Sequence, residues 1–184
     1  MKILFLTIIL STLHYLGGFA QPTLIDKEGK ATFFSEAPLE NIKASNKSVV
    51  GALNPENGNV AVSMLMSKFE FKKSLMQEHF NENYVESEKF PKATFKGSIR
   101  DFSKDELLEI GKKSKTVTGE ITIHGVTQPL ETVLDIETTS EKIMINTVFM
   151  LKVESFDIEI PKVVFYNIAE EVEVTTTFNF SKPK

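Results

Sequence analysis

Residues 171–180 read EVEVTTTFNF, and their alternation decides the fold class. Val172, Val174, Thr176, Phe178 and Phe180 fall on one face of an extended chain, with Glu173, Thr175, Thr177 and Asn179 on the other. That period of two marks a strand with one side in a core and the other in water. The same rhythm runs backwards through the chain. Lys115–His124 turns Val117, Gly119, Ile121 and Ile123 one way, and Leu130–Glu137 does so with Leu130, Thr132, Leu134 and Ile136. Between them His124-Gly125-Val126-Thr127-Gln128-Pro129 is rich in turn chemistry, so the pair reads as a hairpin.

Lys142–Val153 is apolar on both faces, with Ile143, Ile145, Phe149 and Leu151 against Met144, Val148 and Met150, which predicts a cover on its outside. Lys47–Leu53 and Val60–Met66 form a second hairpin around Asn54-Pro55-Glu56-Asn57-Gly58, whose Asn-Gly step accepts positive φ. Ala31–Ser35 and Ala93–Phe102 bring the total to about eight strands, an all-β antiparallel domain. Lys73–Asn83 breaks the rhythm: Leu75, Met76, His79 and Phe80 recur at helical spacing, predicting a short amphipathic helix. A second helical turn is expected at Leu39–Lys43. The stretch Glu154–Asn167, with Phe156 and Ile158, is too apolar for a free loop and is expected to pack across one end of the sheet or to line an opening.

Residues 1–20 read as a secretory signal peptide, with Lys2, an apolar heart from Ile3 to Leu10, and Gly18-Phe19-Ala20 before a cleavage expected after Ala20. A single domain, residues 21–184, is then expected in a periplasmic or secreted location, without a transmembrane anchor after cleavage. The leader removes one of 21 basic residues and none of 25 acidic ones, leaving a net charge of −5, the wrong sign for nucleic acid. Cysteine is absent, which excludes disulfides and thiol chemistry. Beyond the leader only His79 and His124 are available as imidazoles. Glu78 beside His79 lacks the spaced partner of a zinc helix, so no metal site is expected. Gly97-Ser98 lacks the second glycine of a nucleophile elbow, and no catalytic triad assembles.

Two stretches carry a family resemblance. Tyr84–Ile99 reads YVESEKFPKATFKGSI and Val117–Pro129 reads VTGEITIHGVTQP. In this order, and with the Gly51 strand and the helix before Tyr84, they resemble the YceI-like family of polyisoprenoid-binding exported proteins. The resemblance runs from about Thr32 to Phe180. It implies a lipocalin-like β-barrel whose interior holds an isoprenoid or quinone-like lipid, with no other cofactor and no catalysis.

On that reading the pocket is expected to draw on Val62, Met64, Phe69 and Phe71, then on Leu75, Met76 and Phe80 of the helix. Phe95, Ile121, Ile123 and Leu134 would follow, with Ile145, Phe149 and Phe178 from the last two strands. Met64, Met66, Met76, Met144 and Met150 are adaptable fillers that repack around different tails. Without the resemblance, the same aromatics fill an ordinary core. Two alternatives therefore stand: a structural or adhesive β-sandwich with a dry core, and an enzyme using His79 or His124. His124 is expected to bond local backbone, and His79 to be buried and hydrogen-bonded.

Overall fold

The computed structural model describes residues 23–36, 41–160 and 169–182. The expected leader, its cleavage point and residues 161–167 of the apolar stretch lie outside them. Within them the chain forms β1 (Leu24–Ser35), β2 (Ile42–Leu53), β3 (Asn59–Leu65) and the two-residue β4 (Glu70–Phe71). After the helix α1 (Ser74–His79) come β5 (Lys92–Ile99), α2 (Asp105–Leu108), β6 (Gly111–Ile123), β7 (Val126–Thr138), β8 (Lys142–Lys152) and β9 (Glu171–Ser181). All the pairings are antiparallel, in the order β1-β9-β8-β7-β6-β5-β3-β2. A ladder from Leu24↔Leu53 to Ser35↔Ile42 joins β1 to β2 and closes the sheet into an eight-stranded barrel. β4 lies outside this circuit, on β2. Closure rules out the sandwich expected as an alternative, because a sandwich keeps two separate faces.

The alternation read from EVEVTTTFNF is the alternation of the wall. Thr176, Phe178 and Phe180 are buried, while Glu171, Glu173 and Asn179 face water. β6 and β7 pair from Ile123↔Val126 to Gly111↔Thr138, so their connection is only His124 and Gly125, at φ 51° and 78°. Two successive positive φ values give a tight hairpin turn whose twist matches the strands. The expected turn through Pro129 is corrected: Val126–Pro129 already belongs to β7. Pro129 faces Glu120, on a stretch where β7 has no ladder to β8 among the described residues, so its missing N–H breaks no pairing on that side.

Other expectations also change. Ile42 and Lys43 begin β2, because pairing with Ser35 and Phe34 outweighs a weak local helical preference, while Leu39 and Glu40 lie outside the described residues. The predicted helix is α-helical only over Ser74–His79 and widens into a π-type turn at Phe80–Tyr84. None of its residues is fully buried, and His79 is exposed, since so short an element packs by one anchor and not along a whole stripe. Among the described residues no helix is long and apolar enough to cross a bilayer.

Two devices fix the strands. Gly119 faces Gly97 across β5 and β6, where a methyl group would meet the Lys96 carbonyl oxygen at 2.2 Å and Gly97 Cα at 2.5 Å. In β1 the register slips between Asp26 and Ala31, and the buried Asp26 carboxylate takes over the bonding there. It accepts hydrogen bonds from the backbone N–H groups of Glu28 at 2.8 Å and Asn179 at 2.7 Å, tying β1 to β9 beyond their ladder. Gly119→Ala is expected to cost about 1–3 kcal/mol in urea unfolding, because backbone must move. Asp26→Ala is expected to cost about 1–3 kcal/mol by stranding buried N–H groups. Losses under about 0.5 kcal/mol would contradict both assignments.

Candidate functional site

Eight strands make a cylinder just wide enough for side chains to fill it or for one slender ligand to replace some of them. Here the filling is incomplete. A cavity of about 180 Å³ runs inside the barrel, against the ~150 Å³ of an engineered apolar cavity that stays dry and takes up benzene. Space is left where small inward residues, Ala31 and Ala93, sit among large ones. Threonine hydroxyls in the wall bond to the wall itself: Thr147 Oγ1 donates to the Val133 carbonyl at 2.7 Å, and the Thr132 and Thr147 hydroxyls lie 3.2 Å apart.

Aromatic side chains close the ends. At the end carrying the β2–β3, β5–β6 and β7–β8 connections, Phe178 lies against the backbone of Gly29 and Gly51, where any Cβ would meet its ring within 2.6 Å. Phe180 stacks beside it at 6.1 Å, and buried Leu53, Ile99 and Leu107 lie in the same core. At the opposite end Phe33, Phe69, Phe71 and Phe80 form a cluster with ring centroids 5.0–5.7 Å apart. Buried Val85 and Phe156 complete this roof.

Three segments of the roof meet at His124. One ring nitrogen lies 2.9 Å from Glu86 Oε2 and the other 3.1 Å from the Phe156 carbonyl oxygen, so both face acceptors. Phe90 packs edge-on against the imidazole at 4.4 Å and also covers Gly125. The hydrogen bond from His124 holds the Glu86 carboxyl below its ordinary value of 4.5, and the positive charge of Lys89 acts in the same direction.

The sequence profile of the YceI-like domain matches residues 25–180. The chain belongs to the YceI-like family. Among solved structures it is similar to a polyisoprenoid binding domain from Saccharophagus degradans, with TM-score 0.72 and 12% identity over 88% of this chain and 98% of that one. It is also similar to Burkholderia cenocepacia BcnA, with TM-score 0.70 and 15% identity over 86% and 99%. Campylobacter jejuni YCEI protein gives TM-score 0.54 and 14% identity over the whole of both chains. No curated protein sequence matches the chain. At these identities the similarity carries the fold.

In this YceI-like barrel, the side chains expected at the pocket divide by position. Val62, Met64, Phe95, Ile121, Ile123 and Leu134 line the cavity from β3, β5, β6 and β7, and Ile145, Phe149 and Phe178 do so from β8 and β9. Phe69 and Phe80 reach it from the roof. Phe71, Leu75 and Met76 are corrections. Phe71 packs on Phe33 and Phe80 outside the cavity, Leu75 is exposed, and Met76 is half-buried, because Phe80 is the anchor of the short helix. Of the methionines, Met64 and Met66 line the cavity, whereas Met144 and Met150 occupy outward positions of β8.

Phe33 and Val85 were not anticipated: Phe33 is masked by its apolar neighbour Phe34, and Val85 by an acidic, loop-like stretch. The Glu86–His124 contact joins the two motif segments and was not legible from either alone; the backbone partner of His124, Phe156, is distant in sequence.

Because the folded value of Glu86 is lowered, its ionised form favours the folded state. That contribution is complete above its ordinary value of 4.5 and fades as pH falls through the lowered one. Thermal unfolding of the wild type and Glu86→Gln should therefore differ most above about pH 5 and converge in acid. Curves that stay parallel into acid would contradict the contact.

Proposed function

We propose that this chain is an exported, non-catalytic binding protein that holds one long apolar lipid of the polyisoprenoid or quinone-like class inside its barrel, for storage, shielding or transport. The observation that carries this reading is the apolar cavity inside the closed barrel. Family membership supports it, as does the Saccharophagus degradans relative, a polyisoprenoid binding domain. The cavity offers hydrocarbon and few polar groups, and each methylene moved into it from water contributes about 0.8 kcal/mol. Affinity then grows with chain length, and selection among tails is loose.

The enzyme reading is weaker, because His79 sits exposed on a short helix and His124 is held between Glu86 and the Phe156 carbonyl, with a partner at each ring nitrogen. Periplasmic or secreted placement follows from the leader read at residues 1–20, with cleavage after Ala20.

Organic extraction of protein purified from its own host, followed by mass spectrometry, should release a long-chain isoprenoid in near-stoichiometric amount. Ile121→Trp and Phe149→Trp, whose parent side chains line the cavity, should each lower the recovered lipid while the barrel stays folded. If the interior holds no ligand in solution, the extract will be empty and the tryptophans will instead cost about 1–3 kcal/mol through overpacking.

A further inference from the structure

Both ends of the cylinder are stoppered, by Phe178 and Phe180 at one end and by the Phe33–Phe69–Phe80 cluster with Val85 and Phe156 at the other. A ligand as long as the barrel must pass something that moves. Among the described residues, two neighbouring pairs of long strands in the wall, β1–β9 and β7–β8, are laddered over only part of their length. β7 and β8 are laddered only from Leu134↔Thr147 to Thr138↔Ile143, although β7 begins at Val126 and β8 continues to Lys152. β1 and β9 are laddered only from Lys30↔Thr177 to Phe34↔Glu173, but there the Asp26 carboxylate takes the Asn179 N–H and Phe178 packs on Gly29, whereas the ladder of β6 with β7 runs the full length.

Beyond Leu134 the two strands are joined by side chains. Thr147 Oγ1 donates to the Val133 carbonyl at 2.7 Å, Thr132 Oγ1 to the Val148 carbonyl at 3.4 Å, and Gln128 Nε2 to the Ser155 carbonyl at 2.9 Å. Such contacts open at far lower cost than a continuous backbone ladder.

The seam carries apolar side chains on both surfaces, those on the outside being flanked by the exposed carboxylates of Glu131, Asp135 and Glu173. On the inside, Leu130 and Thr132 of β7 and Phe149 and Leu151 of β8 line the cavity. On the outside, Val133, Val148 and Met150 are 51%, 56% and 54% exposed. The sequence expected these outward residues of β8 to be covered, and among the described residues they are not. Apolar side chains on the outer lips and apolar side chains on the inner wall give a hydrocarbon tail a continuous surface across the barrel wall.

We propose that the β7–β8 seam is a lateral portal through which an isoprenoid tail passes directly between the cavity and the hydrocarbon of a lipid bilayer, with Val133, Val148 and Met150 as the lips that touch the bilayer. The proposal rests on the lipid-binding reading above and adds a route and a partner to it. A bilayer fits these lips because they are apolar and lie directly outside the apolar side chains of β7 and β8 that line the cavity, so that the tail need not cross water.

The test uses all-trans-retinol, a fluorescent isoprenoid, carried in phosphatidylcholine vesicles. The chain has no cysteine, and the Thr132 and Thr147 hydroxyls lie 3.2 Å apart, so Thr132→Cys/Thr147→Cys sets two thiols against each other across the seam, to be joined by oxidation with the bridge verified by mass spectrometry. The reduced double variant should take up retinol at a measurable rate, and oxidation should slow uptake and release roughly tenfold or more, reversed by dithiothreitol. Separately, Val133→Lys/Met150→Lys, both on exposed positions, should slow transfer from vesicles. Equal rates in oxidised and reduced protein, with the lysine variant transferring like wild type, would overturn the portal and leave lipid binding standing. Failure of wild type and reduced variant alike to take up retinol at any concentration would overturn the lipid-binding reading and the portal with it.

Discussion

The pairing of β1 with β2 is the constraint on which the rest depends. Without it the molecule is a long twisted sheet with two open edges and one face that must find a partner. With it, the inward face of every strand meets the inward faces of the others, and the interior becomes a private space. The ladder is not uniform: β1 slips register near Gly29, and Asp26 supplies the bonds that the slipped backbone cannot make to β9. A bulge of this kind coils the strand more tightly, which a narrow cylinder demands.

Inside that space, room and packing are divided along the axis. Phe178 fits against glycine backbone, so one end is solid. Higher up, Ala31 and Ala93 set a gap that Phe95, Ile121 and Phe149 border without filling. The roof is assembled from segments distant in sequence, and His124 holds three of them together by facing Glu86 and the Phe156 carbonyl at once. A cavity kept open by rigid strands and covered by tied loops is ready for an apolar guest, which then meets little cost of reorganisation.

Much of the barrel was legible in the sequence because strand alternation is a local signal. EVEVTTTFNF gives β9, and its inward residues wall the cavity as the period requires. The helix was legible in place but not in effect: Leu75 and Phe80 share a stripe in the sequence, and only Phe80 turns toward the core. The hairpin at His124 was legible, yet its length was not, since Pro129 reads as a turn residue until the absence of a ladder on its outer side is known. What could not be read at all was long-range: the Glu86 contact, the place of Phe33 in the roof, and the point at which β7 parts from β8. Each depends on the closure of the cylinder, a property of no single segment.

The central claim is that the inward side chains leave a hydrocarbon-lined tube, and that a lipid occupies it. Crystallographic density for the protein purified from its own host tests this most directly. The account predicts elongated, unbranched or regularly methyl-branched density running between Phe178 and Phe33, flanked by Phe95, Ile121 and Phe149. Rotamers of Phe95 and Phe149 that meet across the axis, with no density between them, would contradict it.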